Sequence, residues 1–197
     1  IGGAGNDYCA AQCTHSVADM NLANIILLSI NDGITPLNQK KCAPGHGYLY
    51  EMTSFEEVKE AFRANVLYFA NWLCVLNNCL EYYHRVVYPV PALSAMLVGC
   101  GESGVDCTKG GAKYNSYGTS VAGVAVMIDS LIALKYMVFD KKLVTAREFY
   151  DAMMANWEGH EDLRQQIKNM PHRYGNGDPY ADEIAAWAMN TLAEIIN

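Results

Sequence analysis

Basic residues are scarce in this sequence: 14 Lys and Arg stand against 21 Asp and Glu, a net charge of −7, and the longest basic run is Lys40-Lys41. Without a basic cluster, the sequence offers neither nucleic acid nor an anionic membrane a surface to bind. Long hydrophobic runs are absent too. The most apolar stretch, Val121 to Met137, is interrupted by Asp129, Ser130 and Lys135, which excludes a transmembrane helix. There is no signal-peptide pattern, no internal repeat and no low-complexity tract. The seven cysteines, at positions 9, 13, 42, 74, 79, 100 and 107, are odd in number, unlike the even sets of secreted disulfide scaffolds. These features predict a reducing cytoplasmic location. Only 18% of the residues are charged and 51% are hydrophobic, too apolar a balance for a disordered chain. At 197 residues the chain is sized for one domain or a piece of a larger one. It starts at Ile1 rather than Met and stops at Asn197 inside a helical pattern, so a longer polypeptide around it is expected.

Helices dominate the pattern. Val17 to Ile30 reads as a buried helix closed by Asn31-Asp32-Gly33, with Gly33 suited to the left-handed position after a helix. Residues 34 to 50 read as loop. Ser54 followed by Glu57 forms a capping box. Phe55, Val58, Phe62, Val66, Phe69, Leu73, Leu76, Leu80 and Tyr83 then recur at steps of three and four, predicting one long helix that ends before Pro89. Leu67, Trp72 and Val75 widen its apolar stripe, so its middle is expected to be covered on more than one side. Residues 91 to 98 form a short apolar segment, and Gly99 to Gly118 a turn-rich connector with six glycines. Ser120 to Phe139 reads as a central buried helix, Thr145 opens another through Trp157, and a weaker one spans Glu161 to Asn169. Asp178-Pro179 is an N-cap and first-turn pair for a last helix reaching about Ile196, with Asp182 and Glu183 suited to its dipole. Strands are expected only near 86–90 and 112–116. The reading is mostly α-helical, with a few short strands that need partners from elsewhere.

Several constellations invite chemistry. Gly2-Gly3-Ala4-Gly5 lacks the preceding strand and third glycine of a dinucleotide fingerprint. Cys9, Cys13 and His15 lie close together, but no second ligand pair follows at zinc-finger spacing, so no metal site is expected and small buried thiols are the simpler reading. Gly99-Cys100-Gly101-Glu102 places a thiol two residues from a carboxylate, the pairing a nucleophile or radical centre with its base would need, and Asp106-Cys107 repeats it. Asp129 sits among apolar neighbours in a helix, where a carboxylate needs donors; backbone amides of the Gly110-Gly111 connector are one expected source. His46, His84, His160 and His172 have no carboxylate or thiol arranged beside them in sequence and read as surface or packing residues.

Five stretches, taken together, resemble the glycyl radical enzymes, the pyruvate formate-lyase-like group. They are Asn21-Leu22-Ala23 to Ile30-Asn31-Asp32-Gly33; Ser54-Phe55-Glu56-Glu57-Val58 with Tyr68-Phe69; Cys100 to Asp106 through Gly110-Gly111-Ala112-Lys113-Tyr114-Asn115; Asp129-Ser130-Leu131-Ile132-Ala133-Leu134-Lys135; and Tyr174-Gly175-Asn176-Gly177-Asp178. They follow the family's order over nearly the whole chain.

The resemblance implies an α/β fold, a ten-stranded barrel ringed by helices, of which residues 1–197 would supply a part without the C-terminal glycyl-radical domain. It also implies a chemistry without bound metal or other bound cofactor. A radical-SAM activating enzyme, the implied partner, installs a glycyl radical; this oxidises a cysteine to a thiyl radical, which abstracts hydrogen from a small-molecule substrate. The full-length enzyme would be a homodimer. In the family the thiyl cysteine precedes the Asn-Leu-Ala helix, which places it at or before Ile1 and leaves Cys100 and Glu102 as weaker catalytic candidates. No Arg-x-x-Gly-Tyr stretch occurs in these 197 residues, so the chain alone is expected to be inactive. The connector looks most like the dehydratase and decarboxylase branches, with other C–C and C–N lyases as further possibilities. The diol-dehydratase branch carries His-Asp before its Asn helix. His15 matches and Ser16 replaces the Asp, so His15 and Ser16 are the expected substrate-pocket residues, with a glycerol- or choline-type substrate disfavoured. Two other readings stand beside this one: a freestanding helical binding or scaffold module derived from the fold, and a thiol or metal enzyme using Cys100/Glu102 or Cys9/Cys13/His15.

Overall fold

The computed structural model describes residues 12–196, and their side chains from Ala18 onward apart from Tyr117. The chain divides into two compact units. One gathers the segment up to Met20 with Asn71–Val121; the other joins Asn21–Ala70 to Ala122–Asn197.

The second unit is helical. Helix α1 (Leu22–Ser29) buries Leu22, Ile25, Ile26 and Leu28 and packs on α5 (Val124–Ala133), which in turn packs on α8 (Pro179–Ile196). The sequence pattern starts α1 five residues too early. Asn21 is its N-cap: extended backbone (φ −86°, ψ 97°) and a side chain accepting the Asn24 N–H at 3.1 Å stop the helix from running through it, and Val17–Asn21 belongs to a strand instead. The turn that closes α1 is as expected. Gly33 has φ +72°, and a Cβ there would stand 2.2 Å from the Ala43 carbonyl oxygen. Asn31 is buried, donates to the Ile34 carbonyl at 2.6 Å and accepts the Tyr150 hydroxyl of α6 (Ala146–Met154) at 2.6 Å.

Helix α2 (Phe55–Val87) starts where predicted, with its capping box shifted by one residue: Ser54 Oγ accepts the Glu57 N–H, and the Glu57 carboxylate reaches Thr53, taking its N–H at 3.1 Å. Its buried residues run from Phe55 to Ala70, all in the second unit. There Asn65 donates to Ser29 Oγ at 3.0 Å, tying α2 to α1 in the core. From Asn71 onward the helix belongs to the first unit, and there the expected covering on several sides is not found. Trp72 is 57% exposed, and Val75, Leu76, Tyr82, Tyr83, Val86 and Val87 are exposed with it; Leu67, still in the second unit, is exposed too. Of the strand expected over 86–90, residues 86–87 are instead the end of α2 and residues 88–90 belong to no strand. Helix propagation outweighs the β-branched Val86-Val87 pair, and the Tyr88 N–H still bonds the His84 carbonyl before Pro89 ends the ladder.

The remaining helices of the second unit follow the pattern closely. Thr145 and Glu148 cap α6 reciprocally, with Glu148 N–H to Thr145 Oγ1 at 3.1 Å and Thr145 N–H to Glu148 at 3.0 Å. Then come α7 (Glu161–Lys168) and α8. The central helix starts at Val124 rather than Ser120, because Gly123 takes φ +77°, outside helical space, and the residues before it are strand. After Ala133 it continues as a π-helical stretch, Leu134–Asp140.

The first unit holds a two-stranded sheet of β1 (Gln12–Asn21) and β2 (Tyr114–Ala122), the latter longer than the strand expected at 112–116. Ser120 hydrogen-bonds Asp19 across it. Between α2 and β2 run two single-turn helices, α3 (Pro91–Ser94) and α4 (Cys100–Ser103), and a 3-10 turn at Cys107–Lys109. Asp106 organises this connector. One of its oxygens accepts the Val90 N–H at 3.1 Å and the Ser94 hydroxyl at 2.9 Å; the other accepts the Thr108 N–H at 2.9 Å and hydroxyl at 2.7 Å. Among the described residues no helix is long and apolar enough to cross a membrane.

Candidate functional site

The sequence points first to β1. Cys9 lies outside the described residues. Cys13, His15 and Ser16 are on β1, ahead of the α1 N-terminus, and their side chains lie outside the description. Among the described residues no group of three or more His, Cys, Asp and Glu is placed to hold a metal ion.

Cys100 lies at the start of α4, 4% exposed, in a small apolar cluster with Leu97, Cys107 and Ala112. Burial pushes its thiol pKa up, and the nearby Cys107, Asp106 and Glu102 push it further. That environment disfavours a thiolate. The Glu102 carboxylate is engaged elsewhere: it accepts the Gly99 N–H at 2.7 Å, capping its own helix turn. Asp106, for which burial alone would raise the pKa, is held below the usual range because the hydrogen bonds from Thr108, Ser94 and Val90 outweigh burial. In this connector the carboxylates serve backbone amides and hydroxyls.

In the second unit, two of the sequence motifs interlock. Asp129 of α5 accepts the Tyr174 N–H at 3.0 Å, and Arg173 lies 3.8 Å from its other oxygen. The donor is thus a backbone amide, as expected, but of the Tyr174–Asp178 turn rather than of Gly110-Gly111. Asp129 itself is only partly buried. Met127, Ile128, Leu131 and Ile132 beside it are buried, whereas Val126, facing away from the core, is exposed. The turn's far end is held by Asp178, whose Oδ2 lies 2.7 Å from His172 Nδ1 and whose Oδ1 accepts the Tyr180 N–H at 3.1 Å. His172 packs against Tyr180 (4.3 Å between centroids) and edge-on to Tyr136 (5.0 Å). Tyr180 donates to Asp140 at 2.8 Å, and Lys135 both pairs with Asp140 (3.1 Å) and sits 4.1 Å over the Tyr180 ring. The reading of His172 as a residue without a carboxylate partner is therefore corrected: the glycine-containing turn brings Asp178, six residues later, onto its ring. The bond to His172 lowers the Asp178 pKa. Burial and the bond to Asp140 raise that of Tyr180, keeping its proton in place to donate.

Beside this interlock, α1, α5 and α6 enclose an open cavity of about 450 Å³ with largely apolar walls and Asp129 and Arg173 at its edge.

The family model described as "Pyruvate formate lyase-like" matches residues 8–197. The chain belongs to this glycyl radical enzyme family. It is 34% identical over 190 residues to the (2S)-3-sulfopropanediol dehydratase of Klebsiella oxytoca, covering 90% of this chain and 23% of that protein. It is 35% identical over 165 residues to the trans-4-hydroxy-L-proline dehydratase of Clostridioides difficile, covering 84% of this chain and 21% of that one. A solved structure of the hydroxyproline dehydratase from Clostridioides difficile with substrate bound superposes with a TM-score of 0.85 at 32% identity, over 94% of this chain and 24% of that one. The chain thus spans about a quarter of the length of the relatives it matches, and the helices and two strands of its described residues are the build of part of a glycyl radical enzyme.

Within the glycyl radical enzyme chain, sequence reading missed the linkage between motifs. Asp129, Lys135, Tyr174 and Asp178 carry the family pattern, and three of them make the interlock's bonds through their side chains. His172 and Tyr180 complete it from just outside the motif. The available signal was the Tyr-Gly-Asn-Gly-Asp composition, whose two glycines allow a loop tight enough for residues 172 and 178 to meet; Gly175 and Gly177 have φ +90° and +70°.

Proposed function

We propose that this chain is the central part of a cytoplasmic glycyl radical dehydratase, or of a related decarboxylase or C–C/C–N lyase, inactive without the rest of its polypeptide. The observation that carries the reading is the similarity to two dehydratases along 84–90% of the chain, with its five family motifs in order. A glycyl radical decarboxylase subunit of Clostridium scatologenes is also similar, at 24% identity, which supports keeping that branch. The chemistry proposed is hydrogen-atom transfer from a substrate carbon to a cysteine thiyl radical, loss of the substrate's leaving group, and return of the hydrogen, leaving the enzyme unchanged over the cycle.

The thiyl cysteine is proposed at or before residue 1 and the radical glycine beyond the last motif, installed by a radical-SAM activating enzyme; the full-length enzyme acts as a homodimer. This chain's own contribution is to supply part of the protein wall that shields a radical from water. His15 and Ser16, on β1, are the proposed substrate-pocket residues. Cys100, buried and apolar in its surroundings, is proposed as a packing residue. The test is anaerobic turnover by the full-length protein, activated by its radical-SAM partner, with a panel of small hydroxylated and carboxylated substrates followed by mass spectrometry. Water loss, CO₂ loss or carbon–heteroatom cleavage identifies the branch. Full-length protein that carries its glycyl radical yet turns over none of the panel counts against these branches.

A further inference from the structure

The turn that carries Tyr174-Gly175-Asn176-Gly177-Asp178 is pinned at its ends and free in its middle. Asp129 Oδ1 accepts the Tyr174 N–H at 3.0 Å, and Asp178 Oδ2 lies 2.7 Å from His172 Nδ1. Between these anchors Asn176 and Gly177 are exposed. Among the described residues, neither the Asn176 side-chain amide nor the Gly177 N–H makes a hydrogen bond. Gly177 has φ +70°, and a Cβ built on it would meet nothing within 4 Å.

An asparagine before a glycine is open to attack by its own main chain. The nitrogen of the following residue can reach the side-chain carbonyl carbon, because no Cβ shields that nitrogen and glycine permits the backbone angles a ring needs. The Asn-Gly pair occurs once in the sequence, at 176–177. Two related pairs are tied down. In Asp32-Gly33 the Gly33 N–H donates to the Leu28 carbonyl at 2.8 Å, and the Asp32 carboxylate accepts Lys41 at 2.9 Å and the Gly47 N–H at 3.2 Å. In Asn115-Ser116 the Asn115 side-chain nitrogen donates to the Ala112 carbonyl at 2.7 Å and the Gly110 carbonyl at 3.2 Å. Sequence makes three candidates, and hydrogen bonding leaves one of them free.

We propose that Asn176-Gly177 is a site of spontaneous covalent modification, where the chain closes to a succinimide and reopens as isoaspartate or aspartate. The Gly177 nitrogen loses its proton and bonds to Asn176 Cγ, the Cγ–Nδ2 bond breaks, and ammonia leaves. Water then opens the ring. Attack at the main-chain carbonyl routes the backbone through Cγ as isoaspartate; attack at Cγ gives aspartate. Either product adds a negative charge two residues from Asp178, and isoaspartate also lengthens the main chain by one methylene between the two anchors of the turn. The inference rests on this turn and is independent of the radical chemistry.

The experiment ages the full-length protein in mildly alkaline buffer, where the attacking nitrogen is more readily deprotonated, beside a synthetic peptide of residues 171–181. Samples are digested at acidic pH and read by mass spectrometry with fragmentation that separates isoaspartate from aspartate. The expected result is conversion at Asn176 ahead of Asn115 and of Asp32, at a rate within roughly tenfold of the free peptide's, since a turn without hydrogen bonds at these groups offers little protection. The mass shift in this segment should vanish in Asn176→Gln, whose longer side chain would need a larger ring. Three results would overturn the proposal: Asn176 converting more slowly than that limit, Asn115 or Asp32 converting first, or the shift persisting in Asn176→Gln. The readout needs no activation, so it stands or falls apart from the proposed radical function.

Discussion

Asp129 makes one strong hydrogen bond, to the Tyr174 amide, from a position about one third exposed. Replacing it with Ala leaves that amide without its acceptor and removes the carboxylate that faces Arg173. Because water can reach both, the expected cost is about 1 kcal/mol rather than that of a fully buried group. In the full-length enzyme Asp129→Ala should therefore lower the melting temperature by a few degrees while turnover per glycyl radical stays near the parent's; lost turnover at an unchanged melting temperature would make Asp129 a catalytic acid. Cys100→Ser is expected to keep substantial turnover, since a buried thiol with a raised pKa has a packing place and no engaged base. Abolished turnover with the glycyl radical signal intact would return Cys100 to the thiyl role. Asp178 gives a pH dependence. Its folded pKa is depressed, so its contribution to stability is fully present above the ordinary carboxylate value of about 4 and is lost as pH falls toward the folded value. Melting temperature should accordingly fall below about pH 4–5, and the fall should be shallower in Asp178→Asn. An identical acid slope in the two proteins would remove the His172–Asp178 pair from the account.

At the scale of elements, Gly33 offers a sharp check on the α1 turn. Any side chain there needs a positive φ and meets the Ala43 carbonyl, so Gly33→Ala should destabilise by ~1–3 kcal/mol, read by denaturant unfolding of the full-length enzyme; no shift would mean that the turn can relax. Where the sequence carried local chemistry, its elements were legible. Thr145/Glu148, Asp178-Pro179 and the Ser54/Glu57 pair all cap helices where the pattern put them. It misled where one residue's backbone overrode a continuous apolar run. Asn21 and Gly123 each cut a predicted helix short, because periodicity weighs side chains and not the φ a single residue adopts. The Asp129–Tyr174 and His172–Asp178 links could not be read from spacing alone, since the first joins residues 45 apart and the second depends on a turn's closure. The Cys100–Glu102 pairing was legible as a motif and differs in space: adjacency in sequence left the carboxylate free to turn back onto its own helix's first amide.

For the whole molecule, the distribution of apolar surface matters most. Trp72, Val75, Leu76, Tyr82, Val86 and Val87 of α2 stand exposed. Exposed apolar side chains grouped along one helix mark a surface for association, and among the described residues each strand of the sheet has a single partner, which leaves an edge open to further pairing. The 197-residue chain produced alone should form soluble aggregates or a dye-binding, loosely packed state; a sharp cooperative thermal transition from a monodisperse monomer would show that it is a freestanding module instead. The central claim, that this chain works as part of a radical enzyme, is tested most directly by electron paramagnetic resonance of the full-length protein after anaerobic incubation with its radical-SAM activating enzyme, S-adenosylmethionine and reductant. The account predicts a glycyl radical doublet in the full-length protein and none in the 197-residue chain treated identically. A full-length protein that forms no such signal, with an activating enzyme competent on a known substrate protein, would contradict it.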